Sequence, residues 1–254
     1  MSNDTEHPDA GPLKAVVLVA GVSRRLFPLT ERSPKCLMDL GGRTIFDFQM
    51  EALRTAGVRD VCLVLGYRRE QIIEHALRNH ADLCFEFVIN HHFFETNTAH
   101  SLWLAQENLR GRDFLYFNGD VLFEPRLLER VISGPRPASL AVEAKPCGEE
   151  EVKVIVADGR IRRIGKLLPP AECLGEFIGI ARFGAPMTGA FFDALGELAA
   201  EGRRMDYFEE ALDRIAPTAE LGVADVTGLP VIEIDFPADL EAARGEILAR
   251  LGVG

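Results

Sequence analysis

Four cationic side chains lie close together near the start of the chain, in a loop that follows a short apolar segment. The segment is Ala15–Leu18, and the cations are Arg24, Arg25, Arg32 and Lys35. A buried strand that leads into a basic loop commonly holds phosphate, because backbone N–H groups and cations converge at the end of the strand. No Gly-Lys-Ser/Thr sequence follows, and the three spaced glycines of a dinucleotide site are missing, so neither of those motifs applies. The loop predicts a small anionic ligand.

Two acidic elements, far apart in sequence, follow or occupy predicted strands. Asp120 comes just after the apolar run Phe114–Phe117, and Glu233 and Asp235 lie two residues apart in a second apolar segment. As isolated features, Asp120 could belong to a simple turn and Asp235 could cap the last helix. Two carboxylates that meet at one edge of a sheet are the oxygen ligands that a hard octahedral cation needs. Together they predict a site for a hard cation.

The basic loop resembles the signature of the nucleotidylyltransferases that activate sugar phosphates and related phosphates such as phosphocholine. That signature reads roughly A-A-G-x-G-x-R-L-x-P-L-T, followed by P-K. Val19 and Ser23 depart from it, and a serine tolerates a positive φ poorly where the family has glycine. A basic surface loop after a Rossmann-type strand is the alternative. The matching residues are Ala20, Gly21, Arg25, Leu26, Pro28, Leu29, Thr30, Pro34 and Lys35.

The resemblance implies catalytic roles for four residues. Arg25 would hold the β- and γ-phosphates, Lys35 would stabilise charge developing at the α-phosphorus, and Asp120 and Asp235 would bind Mg²⁺. No covalent nucleophile is needed, since the phosphate oxygen of the acceptor attacks in line, and positioned cations supply the catalysis. The residues expected to bind the nucleotide are Ala20, Gly21, Val22, Ser23, Arg24, Arg25, Lys35, Gly66, Asn97, Ser101 and Gly119.

The loop Asn90–Ser101 bears on the choice of nucleotide. Hexose-phosphate enzymes that use UTP or dTTP show a glycine-rich L-G-T-A-G-A-like sequence here, whereas this chain has Glu95–Leu102. Asn97 followed by Ser101 looks like the phosphocholine and inositol-phosphate cytidylyltransferases, so CTP is the favoured nucleotide. The alternatives are a sugar-1-phosphate enzyme that uses UTP or GTP and a non-catalytic nucleotide-binding regulatory module. Retention of all four catalytic residues speaks against the module.

A second set of residues is predicted to bind a phosphorylated small-molecule acceptor. In the resembled family, a lysine in a region comparable to the predicted hairpin binds the acceptor phosphate. Lys166 is favoured for this role over Lys153, because it is equally plausible that Lys153 is simply an exposed strand lysine. Tyr207, with Glu209 or Asp206, could hold a cationic head group by cation–π and charge contacts. The predicted acceptor site comprises Lys153, Lys166, Glu176, Gly179, Tyr207 and Glu209.

The elements that must position these residues alternate between strand and helix in the first half of the chain. This order predicts an α/β fold with a Rossmann-like mixed, mainly parallel sheet flanked by helices. In the second half, a hairpin and the strand Glu176–Phe183 predict a small antiparallel flap at about residues 145–185. We expect a disordered lead over residues 1–12 and a single domain over residues 13–254. The predicted helices are 44–56, 70–79, 101–109, 125–132, 189–201, 207–215 and 237–251.

Composition limits the possible partners and compartment. The chain has 254 residues and a net charge of −11, so its surface should repel nucleic acid and anionic membrane. No apolar run is long enough to insert into a bilayer, and the acidic start lacks the order of a signal peptide. Five cysteines without CxxC spacing predict reduced thiols in the cytoplasm and no zinc site. Exposed flap strands could support a homodimer.

Overall fold

A computed structural model gives the structure of residues 12–134 and 137–252. The predicted disordered lead, apart from Pro12, lies outside these residues. The strands are β1 (Lys14–Val19), β2 (Asp60–Leu65), β3 (Cys84–Ile89), β4 (Phe114–Asn118), β5 (Val121–Phe123), β6 (Ala138–Glu143), β7 (Lys153–Ala157), β8 (Arg160–Gly165), β9 (Gly175–Phe183), β10 (Leu221–Asp225) and β11 (Val231–Glu233).

Helices connect most of these strands. Most predicted helices are found with small shifts at their ends. The helix expected at residues 101–109 begins at Thr98 and is interrupted at Ala105, the one expected at 189–201 begins at Ala185, and the one expected at 237–251 is divided by a π-helical turn. The helices are α1 (Ile45–Thr55), α2 (Arg69–Asn79), α3 (Thr98–Leu104), α4 (Gln106–Leu109), α5 (Pro125–Ile132), α6 (Ala185–Ala200), α7 (Glu209–Ile215), α8 (Pro237–Ala242) and α9 (Leu248–Arg250), with a π-helical turn, Ala243–Ile247, between the last two.

The main sheet has the strand order β10-β6-β9-β4-β1-β2-β3. β1 to β4 are parallel, whereas β9 runs antiparallel to both β4 and β6. This confirms the predicted mixed, mainly parallel α/β sheet. Two apolar cores cover its faces: Val16 and Leu18 of β1 pack with α3, α6 and α7, and Ala15 and Val17 pack with α1, α2 and α5. Successive side chains of β1 therefore point alternately into the two cores, so this strand is buried on both faces.

The position of β9 corrects the sequence interpretation. We expected Glu176–Phe183 to belong to the flap, but residues 180–183 lie in the main sheet, between β4 and β6. Apolar side chains such as Ile180 and Ala181 are buried on opposite faces of this strand. The predicted hairpin is present as β7 and β8, and β7 pairs with the first residues of β9.

A two-stranded ribbon outside the main sheet was only half predicted. Val231–Glu233 forms β11, but it pairs antiparallel with β5, a three-residue strand that the sequence pattern did not reveal. Asp235 therefore lies just beyond a strand of this ribbon and not in a strand of the main sheet. The backbone N–H of Ile234 donates to the carbonyl of Asp120 at 3.1 Å, which joins the two acidic segments directly.

An aspartate at the start of α1 ties this helix to α2. Asp47 forms a capping box with Thr44, and its Oδ1 accepts hydrogen bonds from Nε2 of His75 at 2.7 Å and of His80 at 2.8 Å. The three side chains could hold a metal by proximity. However, an Arg54 N–H lies 2.8 Å from His80 Nδ1, so Nδ1 accepts and Nε2 must carry the proton. The cluster is a hydrogen-bond network.

We expect Asp47→Ala to lower the free energy of unfolding by roughly 2–4 kcal/mol, because it removes the helix cap and leaves a buried His80 donor unpaired. Burial alone would raise the pKa of Asp47, but the hydrogen bonds from His80, His75 and Thr44 lower it well below its usual range. The carboxylate therefore stabilises the fold fully above the unfolded pKa of about 4, and this contribution is lost as pH falls towards the lower folded pKa.

Urea unfolding of the wild type and Asp47→Ala at several pH values tests this expectation. The difference between the two proteins should be largest near neutral pH and should shrink in acid. Glu51→Ala is the matched control, since Glu51 is exposed on the same helix and its ion pair with Arg54 contributes at most about 1 kcal/mol. A pH-independent difference would contradict the assigned role of the carboxylate.

Two further findings concern the helices' length and apolar character and the state of the cysteines. Among the residues that the structure describes, no helix has the length and apolar character needed to span a bilayer. All five cysteines are free, and burial raises the thiol pKa of Cys36 and of Cys62 to about 12. These two thiols are therefore protonated and unreactive near neutral pH.

Candidate active site

A cleft of about 810 Å³ lies at the carboxyl ends of β1 and β4. Ligands bind at this edge in open α/β sheets. Most of the residues predicted from the sequence line it: Ala20, Gly21, Ser23, Arg24, Arg25, Lys35, Asn97, Ser101, Gly119, Asp120, Lys166, Glu176, Tyr207, Glu209 and Asp235.

The basic loop leaves β1 and begins with a backbone conformation that few residues adopt. Ser23 has φ 55° and ψ 52°, in the left-handed region where the related signature has glycine. Its carbonyl accepts a hydrogen bond from the Thr30 hydroxyl at 3.0 Å, which helps to hold this turn. A short 3₁₀ turn, Arg24–Leu26, follows and places both arginines at the cleft. The serine thus takes the conformation expected of the glycine.

Lys35 lies between the two predicted metal ligands. Its Nζ is 2.7 Å from Asp120 Oδ2 and 2.7 Å from Asp235 Oδ1, and the side chain is only 10% exposed. Burial by itself would lower the pKa of Lys35, but the two carboxylates outweigh it and raise the pKa above its ordinary value. Arg25 is more open, with a 3.3 Å contact to Asp235 Oδ2 and its guanidinium over the Phe236 ring. Lys35 is therefore held closely by two carboxylates, and Arg25 is held more loosely.

Three carboxylates meet at this point. Single oxygen atoms of Asp120, Glu233 and Asp235 lie within 4.8 Å of one another. Asp120 Oδ1 is buried without a hydrogen-bond partner. Glu233 is accessible from the cleft, but the cleft walls shield it partly from water. This shielding, together with repulsion from Asp120 and Asp235, raises the pKa of Glu233 to about 8. An all-oxygen donor set with an unpaired buried atom fits a hard divalent cation such as Mg²⁺.

Glu233 was not among the residues predicted to form the site. The sequence did contain the signal, since Glu233 and Asp235 are two residues apart and were expected to share a face of a strand. In the structure β11 ends at Glu233, and Asp235, in the irregular segment that follows, belongs to the same carboxylate cluster.

The segment that carries Asp120 is held from behind by a buried glutamine. Gln49 of α1 donates from Nε2 to the carbonyls of Asn118 at 2.8 Å and Val121 at 2.9 Å. A Cβ at Gly119 would clash with Leu18 and Val19, so only glycine allows this close approach to β1. Asp120 is thus positioned by the main sheet and by α1.

Gly179 lies behind the cleft instead of lining it. It has φ +73°, and a Cβ there would approach within 2.5 Å of the Asn118 side-chain amide. Asn118 lines the cleft, and its Oδ1 accepts a hydrogen bond from the Tyr116 hydroxyl at 2.6 Å. The structure therefore corrects the acceptor-site prediction for Gly179, whose missing side chain makes room for Asn118.

The loop that bears on nucleotide choice is organised by Asn90, which the sequence analysis did not single out. The Asn90 amide is buried and donates to Thr96 Oγ1 at 2.9 Å and to Ser101 Oγ at 3.0 Å. Asn97 lies at the start of α3, and its Oδ1 accepts from the Thr98 N–H at 2.9 Å. Asn97 and Ser101 both line the cleft, as does Asn90. An asparagine at the end of an apolar strand was the available signal.

The other end of the cleft combines a lysine, an aromatic ring and a buried acid. Lys166 Nζ lies 5.0 Å from the centre of the Tyr207 ring. Glu209 is 5% exposed, its Oε2 has no hydrogen-bond partner, and burial raises its pKa to about 7. Glu176 also lines the cleft and pairs with Lys145 at 2.6 Å. This end can contact an anion through Lys166 and a cation through Glu209 and Tyr207.

Three other predicted site residues do not line the cleft. Val22 is absent from its lining, and Gly66 supports the loop from behind, since a Cβ there would lie 2.6 Å from the Ala20 carbonyl. Lys153 is 1% exposed, and its Nζ donates to the backbone carbonyls of the preceding loop. A lysine whose donors are all used within the protein cannot grip a phosphate, so Lys153 is removed from the predicted acceptor site.

Comparisons with known proteins agree with this geometry. The chain is 32% identical over 247 residues to CMP-5'-(3-aminopropyl)phosphonate synthase of Streptomyces rubellomurinus, covering 93% of this chain and 39% of that protein. It is 27% identical over 244 residues to the bifunctional IPC transferase and DIPP synthase of Aquifex aeolicus, covering 94% and 53%. The chain thus spans about half the length of these relatives, or less.

A solved structure shares the fold. The inositol-1-phosphate CTP transferase of T. maritima superposes with a TM-score of 0.78 at 23% identity, covering 96% of this chain and 98% of that one. At this identity the likeness concerns the fold alone.

The family comparison covers the part of the chain that builds the cleft. The nucleotidyl transferase family model matches residues 14–141, which include β1 to β4, the basic loop and Asp120. These are the elements that bring Lys35 and Arg25 to the carboxyl ends of the central strands. The chain belongs to the nucleotidyl transferase family.

Proposed function

We propose that this protein is a Mg²⁺-dependent cytidylyltransferase that transfers CMP from CTP to a phosphorylated or phosphonylated small molecule and releases pyrophosphate. The observation that carries the proposal is the meeting of Lys35 with Asp120 and Asp235, at 2.7 Å from each, in a cleft that also contains Arg25. Fixed cations and a carboxylate pair at a strand edge are the groups that phosphoryl transfer requires.

Asp120 and Asp235, with Glu233 beside them, are the residues that would hold Mg²⁺. The support is the all-oxygen donor set and the unpaired Asp120 Oδ1. When bound, the ion would neutralise phosphate charge and orient phosphate oxygens. Because Lys35 contacts both aspartates, it is placed next to the same phosphates.

The protein's own cations would bind the phosphates and stabilise the charge that develops during the reaction. Arg25 would bind the β- and γ-phosphates, and Lys35 would stabilise the charge that develops around the α-phosphorus. An oxygen of the acceptor phosphate forms a bond to the α-phosphorus, and the bond from that phosphorus to the bridging oxygen of the β-phosphate breaks. The electron pair leaves with pyrophosphate. The attacking oxygen is already anionic, so no protein base is needed.

The charge balance of the cleft favours an acceptor that carries a positive group. Acidic side chains outnumber basic ones in its lining even when Glu233, whose pKa is raised to about 8, is counted as neutral, although the nucleotide and the acceptor phosphate are both anions. A divalent cation balances only part of this excess. We therefore propose a protonated or quaternary amine on the acceptor, held by Glu209 and Tyr207, with its phosphate on Lys166. The acids are Asp120, Glu150, Glu151, Glu176, Glu209, Glu233, Asp235 and Asp239, and the bases are Arg24, Arg25, Lys35 and Lys166.

The name of a similar protein supports both parts of the proposal. One similar protein is named as a CMP-5'-(3-aminopropyl)phosphonate synthase. This name contains a cytidine nucleotide and an amine together with a phosphonate. Within the cleft, Asn97 and Ser101 supply amide and hydroxyl groups that suit a cytosine edge.

A matrix of the four NTPs against a panel of acceptors, assayed by pyrophosphate release with Mg²⁺, tests the function. We expect CTP to exceed UTP by at least about tenfold in kcat/KM, the scale of one or two hydrogen bonds to a base edge. The 4-amino group of cytosine can donate to a loop oxygen, which would instead face the carbonyl oxygen of uracil and repel it.

The acceptor panel should include matched pairs: an aminoalkyl phosphate or phosphonate and the same chain with a methyl group in place of the amine. We expect the amine to raise kcat/KM clearly, because it pairs with an otherwise unpartnered Glu209 oxygen. Turnover with UTP or GTP and a sugar 1-phosphate would favour the sugar-nucleotide alternative. NTP binding without pyrophosphate release, for any pair, would favour the regulatory module.

Three expectations from the sequence stay predictions: a single domain over residues 13–254, a cytoplasmic location and a homodimer. The absence of contact with nucleic acid is likewise a prediction that follows from the net charge of −11. Gel filtration with light scattering would test the dimer.

A further inference from the structure

A buried lysine organises a loop at the acceptor end of the cleft. Lys153 is the first residue of β7 and is 1% exposed. Its Nζ donates to the carbonyls of Gly148 at 2.9 Å, Glu151 at 3.1 Å and Glu149 at 3.4 Å. A charged amine buried away from water must have its N–H groups paired, and here three backbone carbonyls of a single loop pair them.

Other contacts hold the two ends of this loop. Within the described chain, no helix or strand covers residues 144–152, which connect β6 to β7. The Ala144 N–H donates to Thr227 Oγ1 at 2.9 Å, Lys145 pairs with Glu176 at 2.6 Å, and the Val152 carbonyl accepts from the Phe177 N–H at 2.8 Å. Between these ends, the Gly148 N–H donates to a Glu151 carboxylate oxygen at 2.9 Å, and the Lys153 ammonium is the partner of the carbonyls of residues 148, 149 and 151.

This loop supplies part of the cleft wall. Glu150, Glu151 and Val152 line the cleft. A Glu150 carboxylate oxygen lies 3.9 Å from Arg25 and 4.0 Å from Lys166, the two cations assigned to the nucleotide and to the acceptor phosphate. The loop thus places acidic groups between the two phosphate-binding ends of the cleft.

We propose that Lys153 is a positioning residue for acceptor recognition: its buried ammonium fixes loop 148–151 so that Glu150 and Glu151 face the acceptor. The inference rests on the proposed function, because it takes the end of the cleft near Lys166 as the acceptor end. It goes beyond that function by assigning charge selectivity to a loop and to a lysine that does not touch the ligand. Acidic groups held there favour an acceptor with a cationic group and disfavour one with additional negative charge.

Steady-state kinetics of Lys153→Met test the proposal. Methionine keeps the apolar stem and removes the three donors, so the loop loses its anchor. We expect the acceptor KM to rise at least about tenfold, within the range seen when remote changes displace binding groups. The KM for CTP should change by less than about threefold, and the preference for the amine-containing acceptor over its methyl analogue should fall.

Lys14→Met is the matched control. Lys14 is also a buried lysine in a strand, 5% exposed, and it pairs with Glu86 at 2.8 Å. It is the first residue of β1 and lies at the end of the strand opposite the cleft. A general effect of losing a buried ammonium would appear in both variants, whereas a positioning effect should appear only in Lys153→Met. Lys153→Gln, which keeps a shorter donor, should give an intermediate change if Lys153→Met folds poorly.

Hydrogen exchange of the backbone amides in residues 148–152 gives a second measurement that does not depend on turnover. Exchange should be faster in Lys153→Met than in the wild type and unchanged in Lys14→Met. Unchanged loop exchange, or an acceptor KM equal to that of Lys14→Met, would overturn the proposal. A wild type that turns over no pair of substrates would overturn the proposed function and the acceptor role of Lys153 with it, while the exchange data would still show whether the lysine anchors the loop.

Discussion

Replacing Asp120 with asparagine should lower kcat by about a thousandfold or more and leave the fold intact. The expected size is that of removing a group that stabilises developing charge, together with loss of a charged metal ligand. Asp120 is suited to this role because Oδ1 is buried without a partner and Oδ2 contacts Lys35 at 2.7 Å. Asparagine retains the shape of the side chain but not its charge. Asp235→Asn should behave in the same way.

Stability should change little in either variant. Three carboxylates close together repel one another, and neutralising one of them relieves this repulsion, which offsets the loss of one contact to Lys35. Thermal unfolding in the absence of Mg²⁺ would measure this. Loss of activity with an unchanged unfolding temperature separates a metal or charge role from a structural one.

The kinetic measurement is turnover over a range of Mg²⁺ concentrations with saturating CTP and acceptor. The matched control is Asp193→Asn, an exposed carboxylate on α6 that pairs with Arg110 outside the cleft and should have no effect. If both cleft variants kept nearly normal turnover at limiting Mg²⁺, the assignment of these aspartates as metal ligands would be wrong.

The predicted site residues that the structure brings to the cleft are mostly carried by short sequence patterns. The residues of the basic loop lie within one segment of the chain after β1, and this segment brings Gly21, Arg25 and Lys35 to the cleft. Asp120 follows β4, which pairs with β1 in parallel, and parallel strands end at the same edge of a sheet. In both cases local order in the chain decides position in space.

The parts that were missed depend on pairing between distant segments. Whether β9 lies in the flap or in the main sheet is decided by its neighbours, β4 and β6. Its nearly continuous apolar run is typical of a strand buried on both faces, but the run does not indicate which strands pair with it. Likewise β5 has only three residues, too few for a periodic pattern, and it exists because β11 pairs with it.

Polar residues posed a different difficulty, because their role depends on what surrounds the end of the side chain. Lys153 and Lys166 both flank the hairpin, yet one ammonium is enclosed by carbonyls and the other lies over the Tyr207 ring. Asn90 and Gln49 likewise shape the site through bonds to backbone or hydroxyl groups that only the tertiary fold brings near them. No spacing in the sequence distinguishes these environments.

Replacing Lys35 with methionine should lower kcat by about 10²–10³-fold and change the KM for CTP far less. The structural reason is preorganisation. Lys35 is 10% exposed and is held by two carboxylates at 2.7 Å, so its charge does not need to reorient during the reaction. A fixed charge of this kind contributes most where negative charge develops, that is, in the transition state at the α-phosphorus.

Arg25→Met provides the contrast, because Arg25 is half exposed and makes a looser 3.3 Å contact with Asp235. A loosely held guanidinium that binds the β- and γ-phosphates is expected to contribute similarly to the ground state and the transition state. Its removal should therefore raise the KM for CTP about tenfold and leave kcat within a fewfold of the wild type. Steady-state kinetics with CTP varied at saturating acceptor separates the two variants. A Lys35→Met protein altered only in KM would show that Lys35 acts in ground-state binding, and the α-phosphate role would pass to another cation of the cleft.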